Sequence, residues 1–381
     1  MQVKQSWLIG PFGLSFAYLL FLTGCASAPV VVTIHTTAAP VKAAIKPASD
    51  YQEILDAITS VMWADLELPP AEGVVTFYPN RFALESALAQ HFTRESNAVE
   101  EQWLGAKSKE AFRAKLWSGF SLEFEKKIES LPEPVKDAFR AKATAEFDVI
   151  FEKEFERLKQ TVRAKMDEDI AFAARQRAVT VVAITGHGQT IVNELIIRRY
   201  SWPDRVKTLA HELTHLVQQR LIGNGPASVS LPAAFTEFIE KGIVSGNVRP
   251  SLWLTEGFAE WVGYKVLDAL KIQTMAKSRE YALGYISAAR QYQTFPSLAQ
   301  LVSDQDWRTW TANLGFAATY GQAFLAVETL IRERSSADVV SYFSSFATSK
   351  NREQSFATAF GAETLAFEGK FDSQLRTLLG K

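Results

Sequence analysis

Ser201-Trp202-Pro203-Asp204-Arg205-Val206-Lys207-Thr208-Leu209-Ala210-His211-Glu212-Leu213-Thr214-His215-Leu216-Val217 is the stretch from which the rest of the chain is read. Ser201 and Asp204 form a Ser-x-x-Asp capping box, with Pro203 in the first turn, where a missing N–H is harmless. A helix therefore starts here, and Gly223 marks its end. His211 and His215 are four residues apart, so both imidazoles leave one helical face and can meet one ion. Glu212 lies beside that ion but off the ligand line, which suits a carboxylate that holds and deprotonates a water. The chain has only five His, and two of them bracket a Glu at this spacing. That makes the pattern specific for a zinc site, with one Zn²⁺ as the implied cofactor.

Catalytic zinc needs a third protein ligand and an open position. No further His is near, but Trp253-Leu254-Thr255-Glu256-Gly257-Phe258-Ala259-Glu260-Trp261 follows downstream. With this pair of motifs the chain resembles the gluzincin metallopeptidases, of the thermolysin and aminopeptidase kind (the peptidase MA-like group), over about residues 175–370. The resemblance implies that Glu256 is the third ligand. It implies that Glu212 is the general base and that Glu260, one turn on, hydrogen-bonds a ligand His. Tyr320-Gly321-Gln322-Ala323-Phe324, Phe356–Gly361 and Phe367-Glu368 resemble the family's C-terminal helices. Tyr320 is the implied donor to a developing oxyanion. His187 is an alternative donor, although its flanking glycines favour a turn between strands. Two features depart from the family. Forty residues separate His215 from Glu256, more than is usual, and they include a helix expected near 233–241. The Gly-x-Met-x-Asn strand of the aminopeptidases is also absent, so an endopeptidase fits better.

The N-terminus carries a different signal. Lys4 precedes an apolar run from Trp7 to Leu22, short for a span of about 30 Å of hydrocarbon. It ends in Leu22-Thr23-Gly24-Cys25, and Cys25 is the only Cys in the chain. This resembles a bacterial lipobox, implying a signal peptide over 1–24 and lipidation of Cys25. The protein is then expected in the bacterial cell envelope, anchored to the membrane through Cys25. With Ala26 next, the expected place is the outer membrane facing the periplasm where the source has two membranes. Residues 25–48, rich in small residues and Pro, read as a tether. A single Cys excludes a disulfide framework. Forty-one Lys plus Arg against 42 Asp plus Glu give a net charge of −1, which argues against a nucleic-acid partner.

Between these ends, Tyr51 to Leu66 reads as a short amphipathic helix and Gly73–Tyr78 as a strand. Residues 104–176 read as helix, restarted by a capping box at Ser130-Leu131-Pro132-Glu133 and running on for about 60 Å. Ala111-Phe112-Arg113-Ala114-Lys115 recurs as Ala138-Phe139-Arg140-Ala141-Lys142, an offset that suits an αα-hairpin. This segment is expected to be a packing arm or a surface for a protein partner. Val179–Ile184 and Thr190–Ile197 read as two strands. The expected fold is α+β and predominantly helical. Its expected parts are a mainly helical region over 49–176 and a zincin-like catalytic domain over 177–381. The function expected is a membrane-anchored zinc metallopeptidase acting on a peptide or protein of the envelope. The competing readings are a lipid-anchored scaffold or assembly factor with a structural or vestigial zinc site, and a hydrolase of peptidoglycan peptides.

Overall fold

The computed structural model describes residues 28–35, 45–104, 106–223, 249–290 and 295–380. The signal peptide, Cys25 and the expected helix at 233–241 lie outside the described residues. The fold is predominantly helical with one small mixed sheet, as the sequence predicts. Its strands are β1 (Val30–Ile34), β2 (Gly73–Tyr78), β3 (Ala183–Gly186) and β4 (Gln189–Asn193), in the order β1-β2-β4-β3. β2 pairs antiparallel with β1 and parallel with β4, and β3 closes the sheet antiparallel to β4. The sheet therefore joins segments from both sides of the expected boundary at 176/177.

Several expectations are corrected. Val30–Ile34 is not tether but an edge strand, because its alternate residues Val32 and Ile34 bury against the core. The helix from Tyr51 closes as α1 (Tyr51–Ser60) and a π-helical turn over Val61–Asp65. A helix the sequence reading passed over, α2 (Arg81–Leu104), leads to the hairpin of α3 (Ala106–Ile128) and α4 (Glu133–Thr180). At 48 residues α4 extends about 72 Å. Its N-cap is Pro132, with no side-chain cap bond, so the expected box at Ser130 does not form. The helix also consumes Val179 and Thr180, which were expected in a strand. Ala174 and Ala178 bury against the sheet, and that packing outweighs local β propensity. β4 stops at Asn193 because its side chain accepts the Ile196 N–H (3.4 Å) and caps a short helix, α5 (Glu194–Ile197).

The hairpin is antiparallel, with Lys109 bonded to Glu152 (2.6 Å) and Arg140 to Glu125 (2.9 Å). Trp117 and Phe120 meet Phe147 along the seam. Beside it lies an apolar groove of about 480 Å³, lined among others by Phe112, Leu116, Ile150 and Leu158. α2 and the end of α4 cover one face of the sheet, around Leu84, Leu88, Ile170 and Ile191. The main core lies on the other face. There α6 (Trp202–Leu221) packs on α7 (Leu252–Ala269), and α7 packs on α10 (Phe316–Glu333). α8 (Met275–Arg290) and α9 (Asp304–Leu314) pack on α10. The chain ends in α11 (Ser336–Ser349), α12 (Arg352–Phe360) and α13 (Thr364–Leu378). Gly257 explains the closest approach, since a Cβ there would stand 2.4 Å from the Ala323 carbonyl oxygen. Among the described residues no helix is long and apolar enough to cross a membrane.

Candidate metal centre

The capping expected at Ser201 forms, with its hydroxyl accepting the Asp204 N–H. α6 then turns His211 and His215 toward α7, whose first turns carry Glu256 and Glu260. All four side chains are buried. The two Nε2 atoms lie 3.1 Å apart, and Glu256 Oε2 is 3.3 Å from one and 3.5 Å from the other. Four-coordinate zinc with bonds of 2.0–2.1 Å sets its ligand atoms about 3.3 Å apart. Spacing of this kind fits one metal ion, and His211, His215 and Glu256 form the HExxH…E triad of the gluzincin type.

Polar partners face the outer nitrogen of each imidazole. His215 Nδ1 is 2.7 Å from Gln218 Oε1, and Gln218 Nε2 donates to the Thr255 carbonyl (2.9 Å). The Gln218 amide is thereby oriented so that its oxygen accepts from His215. His211 Nδ1 is 3.1 Å from Glu260 Oε1. With Gln218 facing His215 Nδ1 and Glu260 facing His211 Nδ1, both Nε2 atoms point inward at each other and at a carboxylate. Such an arrangement is repulsive unless positive charge lies among the three. The electrostatics agree. Burial alone would lower the His211 pKa, yet Glu256 and Glu260 raise it to about 10. Burial would raise Glu256, but the charge of His215 and bonds from both His hold it well below the usual carboxylate range.

Glu260 is held from a second side. Lys207, four residues before His211 on the same helix, donates to both Glu260 oxygens at 2.8 and 3.0 Å. Burial would raise Glu260, but the Lys207 charge, reinforced by His211, brings it down to about 2. Lys207 is itself raised despite burial, by Glu260.

Glu212, half-buried, lies on the flank of α6 that faces β3. Its Oε2 is 2.7 Å from the hydroxyl of Thr185 in β3. That hydroxyl is also 2.9 Å from the Thr190 hydroxyl. A carboxylate only accepts, so Thr185 donates to Glu212 and accepts from Thr190. Oε2 is thus tied to the sheet.

Tyr320 lies on α10 beside the triad. Its ring is 5.9 Å from that of His211 and stacks on Phe316, while Trp307 bonds its hydroxyl. Burial first, then Glu256, pushes its pKa well above the usual phenol value. His187 does sit in the two-residue turn between β3 and β4, with φ of +50° followed by +71° at Gly188. Its Nε2 bonds to Glu95 Oε1 at 2.8 Å. Glu95 and His91 of α2 are buried together behind Gly186, where a Cβ would collide with both. Burial pushes Glu95 up to about 7 and His91 down to about 4.

Sequence reasoning missed Gln218, Lys207 and Thr185. The first two had a signal, because each lies three or four residues from a ligand His on the same helix. Thr185 had none, since its contact depends on how β3 docks against α6. Comparison with protein families, with characterised proteins and with solved structures finds no match to the chain.

Proposed function

We propose that the protein is a membrane-anchored zinc endopeptidase of the bacterial cell envelope. The observation that carries this is the joint presence of a buried His211–His215–Glu256 triad and, adjoining it, a carboxylate that is not a ligand, Glu212. A purely structural site has no use for Glu212. Two imidazoles and one carboxylate are the donor set of catalytic zinc, and zinc bound there supplies an acidified water and a charge that polarises a carbonyl. In this mechanism the Glu212 oxygen left free by Thr185 takes the proton of the attacking water and passes it to the leaving amine. Tyr320 donates its hydroxyl proton's hydrogen bond to the developing oxyanion, which its raised pKa keeps available. Glu260 and Gln218 hold the two imidazoles in the tautomer that leaves Nε2 free.

Internal cutting is supported by the sheet edge. β3 pairs only with β4 among the described residues. Val182 directs its carbonyl to β4, so by alternation Ala183 and Thr185 face outward, and of these the Thr185 carbonyl already accepts from Gln219 Nε2 (3.2 Å). An extended peptide would pair with that edge at Ala183 and run past Glu212. Lipidation of Cys25 is supported by its lipobox. β1 begins five residues later, a reach of at most about 18 Å, so the anchor would hold the β1 edge of the sheet, opposite the β3 edge, near the membrane. The half-exposed Phe120 and Phe139 and the exposed Ile150 support the hairpin as a surface for a protein partner.

The test is digestion of a diverse peptide mixture by the zinc-loaded chain and by its Glu212→Gln variant, with new termini read by mass spectrometry. Internal cleavage by the wild type alone is expected. Equal cleavage by the variant, or none by either protein, overturns the assignment.

A further inference from the structure

The helix that carries the metal ligands presents two neighbouring stripes. His211, His215 and Gln218 lie along one line of α6, and Glu212, Leu216 and Gln219 lie along the next, about 100° round the axis. The first line faces α7, where Gln218 joins His215 to the Thr255 carbonyl. The second line faces the sheet. Glu212 meets the Thr185 hydroxyl, and Leu216 fills the space beside Gly73 of β2, where a Cβ would come within 2.7 Å of it. Gln219 reaches the turn between β3 and β4.

Gln219 is 4% exposed, and both ends of its amide are engaged. Nε2 donates to the Thr185 carbonyl (3.2 Å), and Oε1 accepts the Gly188 N–H (3.5 Å). Thr185 is thus tied to α6 twice, by its backbone to Gln219 and by its hydroxyl to Glu212 Oε2 (2.7 Å). On the other side the turn is backed by α2, with His187 bonded to Glu95 (2.8 Å) and Gly186 packed on His91. That contact holds the tip of the turn, whereas the Gln219 bond holds Thr185 itself. A hydroxyl rotates freely, so its reach to Glu212 depends on where the Thr185 backbone stands. A slide of β3 by about 1 Å along α6 is enough to break a bond of 2.7 Å.

We propose that Gln219 is a positioning residue for the general base: it fixes β3 against α6 so that Thr185 holds Glu212. This rests on the peptidase reading, in which Glu212 takes the proton of the attacking water. The two adjacent glutamines then serve different parts of one reaction, Gln218 the metal ligands and Gln219 the base.

The experiment compares the zinc-loaded full chain with two variants. Gln219→Met keeps the length of the side chain and removes both bonds. Gln219→Asn keeps the amide but is one methylene shorter. The probe is one peptide chosen from those the wild type cleaves in a diverse mixture. Both variants are expected to hold zinc in full, with KM little changed and kcat lower by roughly 10-fold, between the worth of one hydrogen bond and that of a misplaced catalytic group. In a Thr185→Val background Gln219→Met should change kcat by less than about twofold, because the contact it serves is already gone. Amide exchange over 183–193, read by mass spectrometry, should be faster in Gln219→Met than in the wild type. A merely structural Gln219 would lower the thermal transition and leave kcat per folded, zinc-bound chain unchanged, and that result overturns the proposal. Losses that multiply in the double variant, or a fall in kcat that only tracks lost zinc, overturn it as well. No cleavage by the wild type removes the peptidase reading and the proposal with it, whereas unchanged exchange over 183–193 in Gln219→Met overturns the proposal alone. If Gln219→Met does not fold, as judged by its thermal transition, the same measurements on Gln219→Asn decide.

Discussion

Replacing Lys207 with Met removes the cation that holds Glu260, and the structure fixes the size of the effect. Both Lys207–Glu260 contacts are at hydrogen-bond distance, and Glu260 is only 4% exposed. Removing one partner of such a buried pair costs about 3–5 kcal/mol, because the other charge is left uncompensated. The carboxyl gives a consistent figure. Holding Glu260 at about 2 instead of its ordinary 4.5 is worth about 3 kcal/mol at neutral pH. The folded pKa is the lower one, so this stability is fully present above about pH 4.5 and is lost as pH falls toward 2. Lys207→Met should therefore show its full deficit near pH 8 and a much smaller one under acid conditions. The assay is urea unfolding of the metal-free protein for Lys207→Met, Glu260→Gln and the double variant. The double variant should recover most of the loss, since a neutral Gln can still accept from His211. A deficit below about 1 kcal/mol near pH 8, or a double variant as unstable as the sum of the singles, would refute the reasoning.

Three further outcomes follow from other parts of the structure. Thr185→Val should lower kcat by roughly 10–100-fold with KM little changed, and Thr185→Ser should restore it, as kinetics on any cleaved peptide will show. Glu368, buried and bonded to the Trp253 indole, has a pKa raised by burial to about 7. The folded pKa is the higher one, so the wild type should lose stability as pH rises from about 4.5 through 7, and Glu368→Gln should remove that slope in thermal unfolding. Gly257→Val should cost about 1–3 kcal/mol or more, by forcing α7 away from the Ala323 carbonyl, measured by denaturant midpoint.

The chemistry was legible because it is local. His211, Glu212 and His215 share one capped helix, and the period of that helix alone brings the imidazoles together. Glu256 and Glu260 required the family resemblance, since nothing in their own spacing says that α7 packs on α6. The strands were read less well. Val179 and Thr180 have β propensity, but Ala174 and Ala178 anchor the helix on which they continue, a tertiary effect. Val30–Ile34 resembled linker because small residues and Pro surround it, and its partner β2 begins only at Gly73. α2 escaped notice although it carries His91 and Glu95, a buried pair visible only once β3 and β4 are folded against it.

The most direct test of the central claim is the metal content and coordination of the purified chain. X-ray absorption and elemental analysis should find one zinc per chain with two imidazole nitrogens and one protein carboxylate, and Glu256→Ala should lose that zinc while keeping its helical circular dichroism. Full zinc retention in Glu256→Ala, or zinc without imidazole ligands in the wild type, would contradict the account.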